Sequence, residues 1–214
     1  MKIAIFDMDG TLLNSAKDIT ISINAIRSKN YGLENLSEEF VIEAINAPVR
    51  NLAKLFYETE VYADADRKLF EKHYYEQCVK NVYLYDGVKE TLQSLKEEGV
   101  KLSVATNAPT IFAKRMLKEC KVDDLFDVII GADKVQNPKP HKQMLEFILN
   151  KYDYTDADLA VMIGDNSKDM DAASNAGIKS LFATWGFSPM STFKDTISHP
   201  KDIIKFFKKK NEIN

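Results

Sequence analysis

Short apolar runs recur along the chain, and most of them lie in its second half. Each run holds four or five mostly apolar residues and is followed by charged or turn-forming residues. Runs of this kind are typical of strands that are covered on both faces of a sheet. Five of them predict strands over residues 3–6, 101–105, 126–130, 159–163 and 179–183.

Amphipathic stretches alternate with the later runs and predict helices. Their apolar residues recur at intervals of about three or four positions, the period of a helix with one buried face. The predicted helices cover residues 88–98, 111–120, 141–151 and 168–176. This alternation indicates an α/β fold in which helices cover both faces of a parallel sheet, as in a three-layer sandwich.

The segment between the first two predicted strands differs from the rest because it lacks strand patterning. Its amphipathic stretches predict helices over residues 16–29, 37–45, 49–59 and 64–79. The sequence therefore predicts an α/β core formed by residues 1–14 and 83–214, and an inserted all-helical cap formed by residues 15–82. Hinges are expected at residues 14–15 and 84–87, where a lid would join the sheet.

The composition argues against several partners. Among 214 residues, 29 basic and 32 acidic side chains give a formal net charge of -3, so we expect no broad electropositive surface for nucleic acid. No uninterrupted run of about 18 apolar residues is present, and no membrane span is expected. Cys78 and Cys120 lie far apart without metal-type spacing, which favours reduced thiols and a cytoplasmic location.

The first predicted strand runs directly into two acids, Asp7 and Asp9. One such carboxylate could bind a hard cation or attack as a nucleophile, while its neighbour keeps or trades a proton. Gly10 permits a tight turn after them, and the Thr11 hydroxyl could order the loop or contact an anion. This loop is therefore the first candidate for an active site.

Later strands contribute further polar residues. Because the carboxyl ends of parallel strands meet at one edge of a sheet, we expect these residues to converge beside Asp7. They are Thr106 and Asn107 after the second strand, Lys139 after the third, and Asp165 with Asp169 after the fourth. Carboxylates for a cation, a hydroxyl and an amide for phosphate oxygens, and one lysine are the groups that a phosphoryl site requires.

In this order the residues resemble the four motifs of the haloacid dehalogenase superfamily, in particular its phosphatases with a helical cap inserted after the first motif. The resemblance covers nearly the whole chain and implies a Rossmann-like core. The resemblance implies that Asp7 is the nucleophile and Asp9 the general acid/base. It implies phosphate binding by Thr106 and Asn107 and charge neutralisation by Lys139. Asp165 and Asp169 match the pair of metal-site acids. The resemblance also implies that Asp7, the carbonyl of Asp9, and Asp165 hold Mg²⁺, with Asp169 as a further ligand or as a group behind the ligands.

The resemblance implies an activity as well. The phosphoglycolate phosphatase group is the most similar part of the family, which suggests Mg²⁺-dependent hydrolysis of a small phosphorylated metabolite through an aspartyl-phosphate on Asp7. A phosphosugar mutase resembling β-phosphoglucomutase stays open because it uses the same two aspartates. A pyrophosphatase, a phosphonatase with a cap lysine such as Lys54, and a catalytically silent binding protein are further alternatives. A monomer or a homodimer is expected.

Two features outside the four motifs have two interpretations each. Arg50, at the start of a predicted cap helix, could bind a second anionic group of the substrate bidentately. A solvated arginine at a helix start is an equally simple interpretation. Trp185, Gly186 and Phe187 follow the last strand and could border the site or pack on the core.

Overall fold

A six-stranded sheet organises the larger of the two units into which the chain divides. The computed structural model describes residues 1–47, 51–61, 63–155, 158–188 and 192–209. The larger unit comprises Met1–Leu13 and Leu84–Asn214, and the smaller unit comprises Asn14–Tyr83. The six-stranded sheet belongs to the larger unit alone.

The strands form one large sheet and one small sheet. In chain order they are β1 Lys2–Phe6, β2 Leu13–Asn14, β3 Tyr83–Leu84, β4 Lys101–Thr106, β5 Val128–Gly131, β6 Leu159–Gly164, β7 Lys179–Ala183 and β8 Thr196–Ile197. The large sheet has the order β5-β4-β1-β6-β7-β8, and its described pairings are parallel. β2 and β3 pair in the small sheet.

The central strand of the large sheet is β1. Phe6, its last residue, pairs with Val104 on β4 and with Ile163 on β6. The chain adds later strands outward from β1 in both directions, which opens a crevice at the carboxyl ends beside this strand. The residue after Phe6 is therefore placed at the middle of the edge where α/β proteins bind ligands.

Helices account for most of the remaining regular structure. They are α1 Ala16–Ile26, α2 Glu38–Asn46, α3 Leu52–Tyr57, α4 Asp64–Gln77, α5 Val88–Glu97, α6 Thr110–Glu119, α7 Gln143–Lys151, α8 Ser167–Asn175 and α9 Asp202–Lys209. A π-helical turn, Arg27–Tyr31, continues α1, and 3₁₀ turns lie at Asp123–Leu125 and Ala132–Lys134. In the described part of the chain, no helix is both long enough and apolar enough to cross a membrane.

Both faces of the large sheet are covered. Ile3 and Ile5 of β1 pack in one core cluster with Leu145 of α7 and with residues of α8. Phe6 points to the opposite face and lines a small cavity with Leu92 of α5 and Ile203 of α9. The α/β three-layer fold predicted from the sequence is thus confirmed.

The smaller unit is helical and has its own apolar core. Ile23 of α1, Val41 of α2 and Phe56 of α3 belong to one buried cluster, with exposed fractions of 3%, 0% and 4%. α2 begins at a Ser37 cap, whose hydroxyl accepts the Phe40 N–H at 3.2 Å. This unit therefore folds around contacts within residues 14–83.

Several predicted boundaries differ from the observed ones, and three of the differences have a structural reason. The third strand begins at Val128 instead of residue 126, because the chain approaches the sheet through the 3₁₀ turn Asp123–Leu125. α7 begins at Gln143 instead of residue 141, because the His141 ring accepts the Gln143 N–H at 3.1 Å and so precedes the helix. α1 ends at Ile26 instead of residue 29 and passes into the π-helical turn.

Several elements were not predicted from the sequence. β2, β3 and β8 have two residues each, too few for a recognisable strand pattern, and α9 follows β8 closely. The helix predicted over residues 49–59 corresponds to α3, and residues 48–50 lie outside the described residues.

Candidate active site

The loop after β1 is a tight turn held by backbone hydrogen bonds. The Asp7 N–H donates to the Ile163 carbonyl of β6 at 2.8 Å, so the loop begins as a continuation of the sheet. The Leu12 N–H donates to the Met8 carbonyl at 2.9 Å. These bonds fix the backbone that carries Asp7 and Asp9.

Three carboxylates converge beside this turn. Asp7, Asp165 and Asp169 each offer an oxygen, and these oxygens lie within 4.8 Å of one another. Asp165 directly follows β6, and Asp169 lies in the first turn of α8. Both are 1% exposed, and Asp7 is half-buried. Among the residues that the structure describes, Asp9 contributes no carboxylate oxygen to this group.

Lys139 is a buried cation that contacts two of the three acids. Its ammonium donates to Asp169 Oδ1 at 2.6 Å and to Asp7 Oδ1 at 2.8 Å, and its side chain is 2% exposed. Asp7 Oδ2 has no hydrogen-bond donor among the described residues. One oxygen of Asp7 is therefore available to a further ligand or to an electrophile.

The two buried acids are held by hydrogen bonds from different parts of the chain. Thr11 Oγ1 donates to Asp165 Oδ1 at 2.9 Å, and the Phe187 N–H donates to Asp165 Oδ2 at 2.9 Å. Asp169 Oδ2 accepts the Asn166 N–H at 3.1 Å as part of the capping box that begins α8. Both carboxylates consequently have fixed orientations.

Burial and the excess of negative charge both shift the pKa values of the site. Burial raises the pKa of Asp165 well above its ordinary value, and the charges of Asp7 and Asp169 raise it further. Burial and the Asp7 charge raise the pKa of Asp169 to about 7, although Lys139 opposes this shift. Burial disfavours the Lys139 ammonium, but Asp169 and Asp7 outweigh it and raise its pKa. One ammonium thus leaves the acids partly uncompensated.

The arrangement fits a hard divalent cation. Carboxylate oxygens are the ligands that Mg²⁺ prefers, and three of them already lie close together. Burial raises the pKa values of Asp165 and Asp169, and neighbouring negative charge raises them further. A divalent ion would offset the negative charge that Lys139 leaves uncompensated. The site is therefore an acidic group that could hold a metal.

Thr106 and Asn107, predicted as phosphate-binding residues, lie at the end of β4, the strand next to β1. Thr106 is 1% exposed, and its hydroxyl accepts the Ala108 N–H at 3.1 Å. Asn107 is linked to the three acids through Lys139, because the Asn107 side-chain amide forms hydrogen bonds with the Lys139 backbone. Arg50 lies outside the described residues.

The segment after β7 borders the site. Besides the bond from Phe187 to Asp165, Trp185 Nε1 donates to the Thr11 carbonyl at 3.0 Å. A Cβ on Gly186 would lie 2.7 Å from Asp165 Oδ2. The sequence left the role of this segment open, although a glycine between two aromatic residues after the last long strand was a signal of close packing.

Comparison with known proteins agrees with this geometry. Residues 4–183 match the family described as haloacid dehalogenase-like hydrolase. The chain belongs to this family. The resemblance seen in the sequence is thus confirmed, and the Asp7 loop, the β4 end, Lys139 and the acids after β6 all lie within the matched residues.

Several relatives of this haloacid dehalogenase-like hydrolase carry a more specific name. A phosphoglycolate phosphatase of Aquifex aeolicus is 33% identical over 211 residues, covering 96% of each chain. A phosphoglycolate phosphatase of Colwellia psychrerythraea is 34% identical over 202 residues, covering 87% of this chain and 86% of the relative. The crystal structure of a predicted phosphoglycolate phosphatase from Haemophilus somnus matches with a TM-score of 0.81 at 28% identity, covering 97% and 98%. The chain is accordingly a hydrolase of the phosphatase type.

Proposed function

We propose that this chain is a Mg²⁺-dependent phosphatase that hydrolyses a small phosphorylated acid, with phosphoglycolate as the first candidate, through an aspartyl-phosphate on Asp7. The observation that carries the proposal is the environment of the Asp7 carboxylate. One of its oxygens is held by the Lys139 ammonium at 2.8 Å, while the other has no donor among the described residues. An oriented carboxylate with a free oxygen, beside a cation and two further acids, is suited to attack phosphorus.

Mg²⁺ would be held by the Asp7 carboxylate, the Asp9 carbonyl and the Asp165 carboxylate. Asp169 accepts the Lys139 ammonium and the Asn166 N–H, whereas Asp165 accepts a neutral hydroxyl and an N–H. The positive charge already bonded to Asp169 favours a supporting position behind the ligands for this acid. When bound, the ion would bring an anionic phosphate beside the anionic Asp7 and stabilise charge on the phosphate oxygens.

In the first chemical step, an Asp7 oxygen forms a bond to phosphorus while the bond from phosphorus to the ester oxygen breaks. Asp9 gives a proton to the departing oxygen, so that an alcohol leaves. The Lys139 ammonium, the Thr106 hydroxyl and the Asn107 N–H would balance charge on the phosphate oxygens. In the second step, water attacks phosphorus, Asp9 takes its proton, and the bond between Asp7 and phosphorus breaks.

The substrate assignment rests on relatives and on the helical insertion. Two relatives at 33% and 34% identity, matched over 96% and 86% of their own length, are named phosphoglycolate phosphatase. We further propose that the helical unit is the cap that selects the substrate, because the chain enters it directly after the Asp7 loop. Arg50 would bind the distal carboxylate. The cytoplasmic location and the monomeric or homodimeric state remain predictions.

A metabolite panel tests the function. Purified protein is incubated with Mg²⁺ and with short phosphorylated acids, sugar phosphates and pyrophosphate, and both free phosphate and isomerised sugar phosphates are measured. We expect phosphate release to be fastest from short acids and to stop when the metal is chelated. Sugar isomerisation without net release would identify a mutase instead, and release from pyrophosphate alone would identify a pyrophosphatase. No reaction with any of them would contradict enzymatic activity on small phosphates.

A further inference from the structure

The segment that carries Lys139 lies outside regular structure. Between the 3₁₀ turn Ala132–Lys134 and α7, residues 135–142 form no helix or strand, and all eight are described. No strand pairing therefore fixes the backbone from which Lys139 reaches Asp7 and Asp169. Other contacts must hold it.

Asn107 holds this backbone with both ends of its side-chain amide. Asn107 Nδ2 donates to the Lys139 carbonyl at 2.9 Å, and Asn107 Oδ1 accepts the Lys139 N–H at 3.1 Å. Since both backbone polar groups of one residue are engaged, the pair of bonds fixes orientation as well as position. Asn107 itself follows directly after β4, a strand of the central sheet.

Further contacts on the segment involve its other residues. Asn175 Nδ2, at the end of α8, donates to the Pro140 carbonyl at 3.0 Å, the His141 N–H donates to the Pro138 carbonyl at 3.0 Å, and the Asn137 N–H donates to Gln143 Oε1 at 2.9 Å. These bonds leave the Lys139 N–H and carbonyl to Asn107. The two-point contact therefore defines where the Lys139 side chain starts.

We propose that Asn107 is a positioning residue that acts through Lys139. Its amide links the end of β4 to the Lys139 backbone, and Lys139 in turn holds Asp7 Oδ1 at 2.8 Å and Asp169 Oδ1 at 2.6 Å. The side chain of Asn107, although exposed, is committed to this contact, which leaves its backbone N–H as the group for phosphate. This inference rests on the proposed function, because it concerns the catalytic use of Lys139.

The test compares two asparagines that make the same kind of contact. In the helical unit, Asn24 Nδ2 donates to the Leu36 carbonyl at 2.9 Å and Asn24 Oδ1 accepts the Leu36 N–H at 2.8 Å. Asn107→Ala and Asn24→Ala thus remove equivalent bond pairs. Amide hydrogen exchange is measured by NMR, and kcat and KM are measured with p-nitrophenyl phosphate.

For Asn107→Ala we expect the Lys139 amide to exchange at least about fivefold faster, because it loses its acceptor. We expect kcat to fall about 10- to 100-fold, since a displacement of about 1 Å in a catalytic group has an effect of that size. KM should change less than about threefold. Asn24→Ala should accelerate exchange at Leu36 and leave kcat within about twofold.

Three outcomes would overturn the inference: unchanged exchange at Lys139, faster exchange with unchanged kcat, or a rise in KM alone, which would make Asn107 a substrate-binding side chain. Uniformly faster exchange across the protein, equal in both variants, would also overturn it in favour of a general stabilising role. The exchange measurement needs no substrate. A wild-type protein without phosphatase activity would therefore contradict the proposed function separately from the contact between Asn107 and Lys139.

Discussion

Gly10 lies where the Asp7 turn meets Asp165, and two properties of this position exclude a side chain. Its φ of +82° lies in the left-handed region that L residues with a Cβ rarely adopt. A Cβ built there would also collide with the Asp165 carboxylate. The Asp165 carboxylate can thus pack against the turn only because residue 10 has no side chain.

Gly10→Ala should therefore damage both stability and activity. The left-handed backbone angle costs about 1–2 kcal/mol for a residue with a Cβ, and displacement of Asp165 should lower kcat/KM by about 10-fold or more. Gly99→Ala is the matched control, because Gly99 has a φ of +75° but no atom within 4 Å of the added Cβ. Urea unfolding and phosphatase kinetics would check this. Equal kinetic parameters in the two variants would show that Asp165 tolerates displacement.

The strands of the core were predictable because burial on both faces leaves a simple pattern. β1, β4, β6 and β7 each correspond to an apolar run, and their parallel order brings Asp7, Asp165 and Asp169 together at one edge. The sequence did not reveal β8, since two residues carry no period.

Contacts between distant side chains were beyond what the pattern could predict. The bonds from Thr11 and Phe187 to Asp165, and from Asn107 to Lys139, depend on rotamers and on loops that meet only in the folded chain. A sequence pattern records which face a residue occupies, but it does not record which partner a polar side chain finds there. The acids of the site were therefore predictable, while the groups that orient them were not.

In the helical unit, Asp18 links α1 to the last residue of α4 and to the chain that follows it. This buried carboxylate accepts hydrogen bonds from Gln77 Nε2 at 2.8 Å, Asn81 Nδ2 at 2.6 Å and the Asn81 N–H at 2.9 Å. Three donors converge on one acid, so the acid is required to satisfy all of them. The packing of these two helices depends on it.

Asp18→Asn should lower the free energy of unfolding by about 1–3 kcal/mol. The NH₂ group of the new asparagine would face N–H groups that are themselves hydrogen-bond donors, so at least one hydrogen bond is lost. Glu76→Gln on the exposed side of α4 makes the same change of charge and should stay within about 0.5 kcal/mol of wild type. Denaturation in urea measures both. A loss for Asp18→Asn as small as that of the control would mean that the network contributes little.

We expect the larger unit to carry out the reaction and the smaller unit to determine which substrate is preferred. The acids and Lys139 belong to the larger unit, whereas residues 14–83 form the insertion that we propose as the cap. Changes in the insertion should accordingly alter the preference among substrates and leave the reaction at Asp7 intact.

Arg50→Ala tests this separation. If Arg50 binds the distal carboxylate, the variant should raise KM for phosphoglycolate about 30- to 150-fold, corresponding to about 2–3 kcal/mol, and should leave p-nitrophenyl phosphate nearly unaffected. Lys54→Ala is the control, because Lys54 is an exposed basic residue of α3 paired with Glu60 at 3.1 Å. Equal effects on the two substrates, or no effect on either, would contradict substrate binding by Arg50 and support its interpretation as a solvated residue at the start of a helix.

The central claim is that Asp7 carries the phosphoryl group, and trapping that group is its most direct test. Wild-type protein is quenched in acid during turnover of p-nitrophenyl phosphate labelled with ³²P, whose leaving group needs no proton, and its peptides are separated after pepsin digestion at low pH, where an acyl phosphate survives. We expect the label on a peptide that contains Asp7, no label in Asp7→Asn, and more label in Asp9→Asn, because that variant lacks the base for hydrolysis while this substrate needs no acid for the first step. Turnover by Asp7→Asn should fall at least about 10³-fold, or about 4 kcal/mol. Label on another peptide, or a folded Asp7→Asn variant with about a tenth of wild-type turnover, would contradict the claim.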